Sequence, residues 1–507
     1  MNDSLPDTGP FRFDRCDDLS SLRRALEDAG YTQSAVAATV GMAAASGKLC
    51  EPEVALRRTA AASPYNTLIR LFLMGQSVSE DAVRAALALM DPKPLFEAGL
   101  LTRTAGGIKA HAALLPFEGL LLARDFWPEF IGEPCPGDYV PGVGPASLAL
   151  ANLTVRSEGG SALDLGTGLG VQALMAAAHA ARVIATDSNP RALNFTGFNA
   201  RLNGLSNIEL RHGSLYEPVQ GGRFDLIVSN PPFVISPRLQ YQYRDGGLEG
   251  DLISERVVRG AAALLREGGF ATILCNWHHR TENDWADRPS AWLAGSCCDA
   301  WVICSDTKDP LAYASGWLAY EHGRNPDQYS RALDEWLSYY ENLGIGLISF
   351  GAFILRRRSA EDNWLRAERA PDGQANSSCS EQIQRIFAAQ DLLEGLAAEE
   401  DLLDKAFVLT ADHQLEHVLQ AERGQWVVQS AQLRQTNGIP FIGNVDRLVS
   451  TVLAGCDGRR TVGRLVKDLA AGLKLDVGQI TPGCIAVMRK LLEAGFLLEG
   501  RSAATVK

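Results

Sequence analysis

Apolar residues between positions 19 and 123 recur at spacings of three and four in LRRALEDAG, NTLIRLFLMG and EDAVRAALALM, a period that predicts amphipathic helices. Over residues 94–123 that period gives way to short apolar runs separated by glycine, which predicts a small hairpin after the helices. The passage CPGDYVPGVGPAS at 135–147 is rich in glycine and proline and predicts a loop. From residue 161 short apolar runs alternate with helical stretches: SALDLG, an alanine-rich helix from 171, RVIATD, a helix over 190–203, NIELRHGS and FDLIVSNPP. This alternation predicts an α/β domain built on a parallel sheet with crossover helices on both faces. GFATILCNW, DAWVICS and GIGLISFGAFILRRR extend the sheet to residue 358, and Arg356, Arg357 and Arg358 read as the solvated end of its closing strand.

Residues 359–380 are polar and small, the composition of a linker. An acidic helical stretch over 391–405 follows, then a compact unit containing CDGRRTVGRLVKDLA and IAVMRKLLEAGFLLEG. The N-terminal and C-terminal regions both place a hairpin after helices, an order that resembles a winged helix. The expected division is an N-terminal helical, winged-helix-like domain at 1–134 and an α/β domain at 135–358. A linker at 359–384 and a C-terminal helical, winged-helix-like domain at 385–507 complete it.

Composition narrows the function. With 48 Lys and Arg against 60 Asp and Glu over 507 residues, the formal charge of −12 argues against coating nucleic acid through bulk charge. The charge is segregated, however: residues 443–507 hold ten Lys and Arg against six Asp and Glu. The opening MNDSLPDTGPFRFD lacks the basic and apolar regions of an export signal, and apolar runs such as LLPFEGLLLA are too short to cross a bilayer. Ten scattered cysteines read as free thiols, so a cytoplasmic protein with no membrane contact is expected.

Two motifs carry the chemistry. DLGTGLG at 164–170 joins an apolar strand to a helix, with Gly166, Gly168 and Gly170 allowing a tight turn close to a ligand. FDLIVSNPPF ends a later strand with Asn230, Pro231, Pro232 and Phe233. An Asn side-chain oxygen and a Pro carbonyl can each accept one N–H of a planar amino group and aim its lone pair at an electrophile. The prolines stiffen that turn, and an aromatic ring offers a stacking face.

Gly-x-Gly-x-Gly preceded by an acid resembles the first motif of class I S-adenosylmethionine-dependent methyltransferases. The resemblance implies a Rossmann-like seven-stranded sheet and S-adenosyl-L-methionine as cofactor. It implies cofactor contacts from Asp164, Gly166, Thr167, Gly168 and Gly170, and from Asp187 with Ser188, the acid meeting the ribose hydroxyls. Ser214 and Leu215 would lie beside the adenine, Ser214 standing where many members carry an acid. Asn230 would face both cofactor and substrate.

NPPF resembles the (N/D)PP(Y/F) motif of methyltransferases that modify planar nitrogens. YRDGGLEGD, over 243–251, resembles the segment after NPPY in the release-factor glutamine N5-methyltransferases, although Phe233 stands where those enzymes typically have Tyr. The bland reading of that segment is a glycine-rich turn with Asp251 capping a helix. The expected activity is methylation of a protein glutamine amide, with a macromolecular, release-factor-like partner that the C-terminal unit docks. The alternative is an adenine or guanine N-methyltransferase acting on rRNA, tRNA or DNA.

Other clusters carry less. Cys275, His278, His279, Cys297, Cys298 and Cys304 match no zinc spacing, and no metal is expected. His413 and His417 lie four apart on an expected helix. Trp277, Trp285, Trp292 and Trp301 read as core.

Overall fold

The computed structural model describes residues 19–41, 50–88, 90–133, 135–322, 325–360, 362–371, 375 and 377–500, so the opening 18 residues lie outside the described residues. The described residues form two compact units, one within 1–151 and 156–369, the other within 152–155 and 370–507. No helix among them is long and apolar enough to cross a membrane.

The first unit begins with short helices whose starts follow local chemistry. Thr32, Ser63 and Ser79 accept the N–H groups of Ala35, Asn66 and Ala82 at helix N-termini. Two two-stranded sheets follow instead of one hairpin: β1 (Leu101–Thr104) with β2 (Gly107–Ala110), and β3 (Ala113–Phe117) with β4 (Leu120–Arg124). Glu118 and Gly119 turn β3 into β4, both with positive φ (46° and 78°), the twist that suits a two-residue hairpin.

The α/β part is an eight-stranded mixed sheet. Its strands are β5 (Ser161–Leu165), β6 (Arg182–Asp187), β7 (Ile208–His212), β8 (Phe224–Ser229), β9 (Leu265–His279), β10 (Cys298–Lys308), β11 (Leu347–Arg357) and β12 (Leu365–Arg369). Their order is β12-β10-β11-β9-β8-β5-β6-β7, with β5 to β9 parallel and β11 antiparallel to both its neighbours. The expected count of seven is therefore corrected to eight. The extra strand, β12, comes from the expected linker and pairs in parallel with β10, a partner that composition cannot reveal. Trp277, Trp292 and Trp301 are buried among these strands, as expected. Arg356 and Arg358 are not a solvated strand end: both bind the fully buried Asp299 carboxylate, at 2.6 and 2.7 Å.

The N-terminal helices share a hydrophobic core with the Pro190–Leu202 helix, Leu22, Leu26 and Phe72 packing in one cluster with Phe195, Phe198 and Leu202. A polar seam accompanies it. Asn199 takes the Ala123 N–H at 2.6 Å and donates to Ala123 O at 3.0 Å and Leu169 O at 2.8 Å. Four residues on, Asn203 takes the Leu121 N–H at 2.9 Å and donates to Leu121 O at 2.7 Å. Four helical residues advance about 6 Å and two strand residues about 6.8 Å, so two amides on one helix face can complete the open edge of β4.

The second unit has two three-stranded sheets. One has the order β17-β13-β18, from β13 (Ala406–Leu409), β17 (Asp457–Thr461) and β18 (Leu497–Glu499); the other joins β14 (His413–Glu422), β15 (Gln425–Gln435) and β16 (Ile442–Asn444). Helices Arg447–Ala454, Val462–Leu473 and Val477–Glu493 pack around Phe407, Leu465 and Met488. His413 and His417 thus stand on a strand, not a helix: a spacing of four also keeps residues on one strand face. The β14–β15 hairpin turns at Arg423 and Gly424, again with positive φ (48° and 79°). It has no counterpart in the expected helical unit.

Replacing Asn199 by Leu, of similar size, strands three backbone groups without partners. We expect a loss of about 3 kcal/mol in chemical denaturation, larger than for Asn203→Leu at the more exposed end of the seam.

Candidate active site

The sheet order reverses beside β5: the chain runs outward through β6 and β7, then returns to add β8 on the other side. Loops leaving β5 and β8 diverge at their C-terminal ends, which is where open α/β sheets bind ligands. A cavity of about 410 Å³ lies there, lined by residues of 164–172, 186–189, 213–215 and 230–232.

The glycine loop is shaped by its own residues. Gly166, Gly168 and Gly170 all have positive φ (74°, 58° and 92°). A Cβ on Gly166 or Gly168 would meet nothing within 4 Å, so their backbone faces open space, whereas one on Gly170 would lie 2.8 Å from Leu174 and Thr196. The first two keep the cradle open and the third lets the next helix pack closely. Asp164, only 1% exposed, holds the loop from behind, its Oδ2 accepting Thr167 Oγ1 at 2.6 Å and Ala173 N at 2.9 Å. Burial pushes its carboxyl up to about 7, against these two hydrogen bonds.

At the end of β6, Asp187 accepts Gly168 N at 2.9 Å and Asn189 N at 2.8 Å, and burial raises its carboxyl above the usual range. Each oxygen keeps a further lone pair for a diol. Ser188 and Ser214 are exposed on the cavity wall. Leu215 adopts φ 47°, the left-handed backbone that a branched side chain rarely takes. Its neighbour Tyr216 donates to Val257 O at 2.6 Å, tying this loop to the Leu252–Leu264 helix.

Asn230, Pro231 and Pro232 line the same cavity from β8, and the Asn230 side chain makes no hydrogen bond among the described residues. Phe233 is set apart. Its ring packs 5.4 Å from that of Phe350, and it does not line the cavity. The aromatic wall comes instead from Tyr139 and Tyr243, whose rings lie 5.9 Å apart.

Tyr139 belongs to the expected loop, which is a strap over the cavity. Asp125, at the end of β4, accepts Val140 N at 2.8 Å and Arg191 Nε at 3.0 Å, while Asn189 Nδ2 donates to Asp138 O at 2.8 Å. Sequence reasoning missed Tyr139, Tyr243 and Arg256, which also lines the cavity. Two acids of 243–251 brace the segment: Asp245, which also lines the cavity, accepts Gln240 N and Tyr241 N at 2.9 Å each. Asp251 occupies the cap position of its helix without capping it, and binds Arg288 Nε at 2.7 Å and His278 N at 3.0 Å.

Fold and site together define a class I methyltransferase architecture. A family model described as methyltransferase small domain matches residues 142–285, and two described as domains of unknown function match 28–111 and 384–499. The chain is 39% identical over 126 residues to the release factor glutamine methyltransferase of Xylella fastidiosa, covering 22% of this chain and 46% of the relative. It is 31% identical over 164 residues to the ribosomal protein uL3 glutamine methyltransferase of Bradyrhizobium diazoefficiens, covering 28% and 50%. With the release factor glutamine methyltransferase of Cereibacter sphaeroides it shares 33% identity over 220 residues, 39% of this chain and 73% of the relative. The chain belongs to this family of glutamine methyltransferases, although it spans about half the length of several of the curated relatives it matches.

Asp164 makes stability depend on pH. A carboxyl whose pKa is higher folded than unfolded contributes stability that is complete below its unfolded value, about 4, and is lost as pH rises through its folded value. Calorimetric melting temperatures should therefore fall between about pH 4 and about 7, and Asp164→Asn, an uncharged acceptor, should flatten that fall.

Proposed function

We propose that this chain transfers a methyl group from S-adenosylmethionine to the side-chain amide nitrogen of a glutamine in a protein, with release-factor-like substrates favoured. The observation that carries the reading is the meeting of Asn230 and Pro231 with the glycine loop and Asp187 in one cavity. The cradle left open at Gly166 and Gly168 fits the cofactor, with Asp187 holding the ribose hydroxyls and Leu215 packing on the adenine. When bound, the cofactor supplies an electrophilic methyl group on its sulfonium.

An amide nitrogen is a poor nucleophile because its lone pair is delocalised into the carbonyl. Asn230 Oδ1 and the Pro231 carbonyl accept its two N–H groups, drawing the nitrogen towards tetrahedral and directing its lone pair across the cavity. No strong base is required, since the methylated nitrogen readily sheds a proton to water. Tyr139 and Tyr243 take the stacking part that the sequence assigned to Phe233. Docking of the larger substrate falls, on this reading, to the C-terminal unit. Its hairpin exposes the cross-strand pairs Leu419 with Val428 and Ala421 with Trp426, the tryptophan 73% exposed. None of the described cysteines is in a disulfide, which suits the cytoplasmic location we propose.

Radiolabelled methyl transferred from S-adenosylmethionine into a cell extract should survive nuclease and be lost to protease. Label lost to nuclease would instead assign the enzyme to nucleobase methylation. Asn230→Ala should lower transfer by about 100-fold or more while calorimetric binding of S-adenosylhomocysteine persists.

A further inference from the structure

The chain that follows the Asn230 turn crosses the mouth of the cavity without regular structure of its own. Leu239, 62% exposed, Gln242 and Tyr243 all line the cavity from it. Both ends of this crossing are held by two helices inserted between β10 and β11, Pro310–His322 and Pro326–Asn342.

At the near end, the Ile235 peptide is gripped on both polar groups. Its N–H donates to the Tyr313 hydroxyl at 3.2 Å, and the Tyr340 hydroxyl donates to its carbonyl at 2.8 Å. The Tyr313 oxygen also accepts Asn276 Nδ2 from β9, which ties the grip to the sheet. Both tyrosines are buried, in one apolar cluster with Val234, Ile235 and Trp336. At the far end, buried Arg244 lies 5.8 Å from the Trp317 ring and 5.9 Å from the Trp336 ring, one on each inserted helix. Its Nε donates to Asp245 at 2.8 Å, the carboxylate that also gathers Gln240 and Tyr241. Arg238 and Glu335 add an ion pair at the exposed rim.

We propose that the inserted helices are a positioning element of the active site, fixing through Ile235 and Arg244 where the Asn230 turn and the Tyr243 wall stand. This rests on the role of Asn230 proposed above. Between Asn230 and Ile235 lie two prolines with fixed φ, so the turn has little slack to absorb a shift at Ile235. A displacement of about 1 Å in an acceptor can cost about 100-fold in rate. Neither Tyr313 nor Tyr340 lines the cavity, so each acts through the turn rather than on the reacting atoms.

Tyr340→Phe, Tyr313→Phe and the double variant test this, since each keeps the packed ring and removes only a hydroxyl. The assay is the rate of tritiated methyl transfer into the protein fraction of a cell extract at saturating S-adenosylmethionine. The KM for S-adenosylmethionine, calorimetric affinity for S-adenosylhomocysteine and melting temperature accompany it. The expected result is a rate about tenfold lower in each single variant, with cofactor KM and affinity within about twofold of wild type and the protein folded at the assay temperature. Rates within about twofold of wild type in all three variants, beside an inactive Asn230→Ala, would overturn the proposal. So would a rate loss matched by lost cofactor binding or by melting below the assay temperature. Full transfer by Asn230→Ala would instead overturn the reading of the site on which the proposal rests.

Discussion

The reversal of strand order at β5 is the constraint from which the site follows. Because β6 and β7 are added on one side and β8 on the other, the backbone leaving β5 cannot be covered by a crossover helix at that point. The gap must be finished with loops whose polar groups are satisfied locally. Asp164 does this beneath the glycine turn, and Asp187 does it from the next strand by taking Gly168 N. A buried carboxylate without a counter-ion is costly, and burial raises the Asp164 carboxyl accordingly.

The walls of the cavity are imported. The strap carrying Tyr139 and Val140 is held by Asp125 from the end of β4, and β4 is itself stitched to the Pro190–Leu202 helix by Asn199 and Asn203. The segment leading from Ile235 to Tyr243 is held by helices inserted late in the sheet. Both use one device: a buried side chain satisfies the N–H or carbonyl of a segment that has no ladder of its own. Irregular chain can then lie at the cavity edge without leaving buried polar groups unpaired.

Much of the core of this arrangement was legible in the residues. The glycine loop, Asp187 and the Asn-Pro-Pro turn could be read because their conformations are set by their own chemistry: positive φ at glycine, fixed φ at proline, an acid at a strand end. Tyr139 and Tyr243 could not, because nothing local marks a tyrosine in a glycine-rich loop as a cavity wall. Phe233 was assigned the wall by its place in the motif, yet Phe350 on β11 takes its ring. The role of Arg356 and Arg358 turned on Asp299 in the neighbouring strand, and β12 on a vacant edge of β10.

Short-range periodicity and backbone preference set the alternation of strands and helices, the direction of the parallel strands, the glycine loop and the Asn-Pro-Pro turn, and all of these are written in the residues themselves. Tertiary pairing settles which side chains line the cavity, which acids brace its loops, and how the inserted helices hold the Ile235 peptide beyond the Asn-Pro-Pro turn. Those outcomes depend on pairing across long separations, such as Tyr340 with Ile235 and Asn199 with Ala123, where geometry and burial select the partner and no local pattern records it.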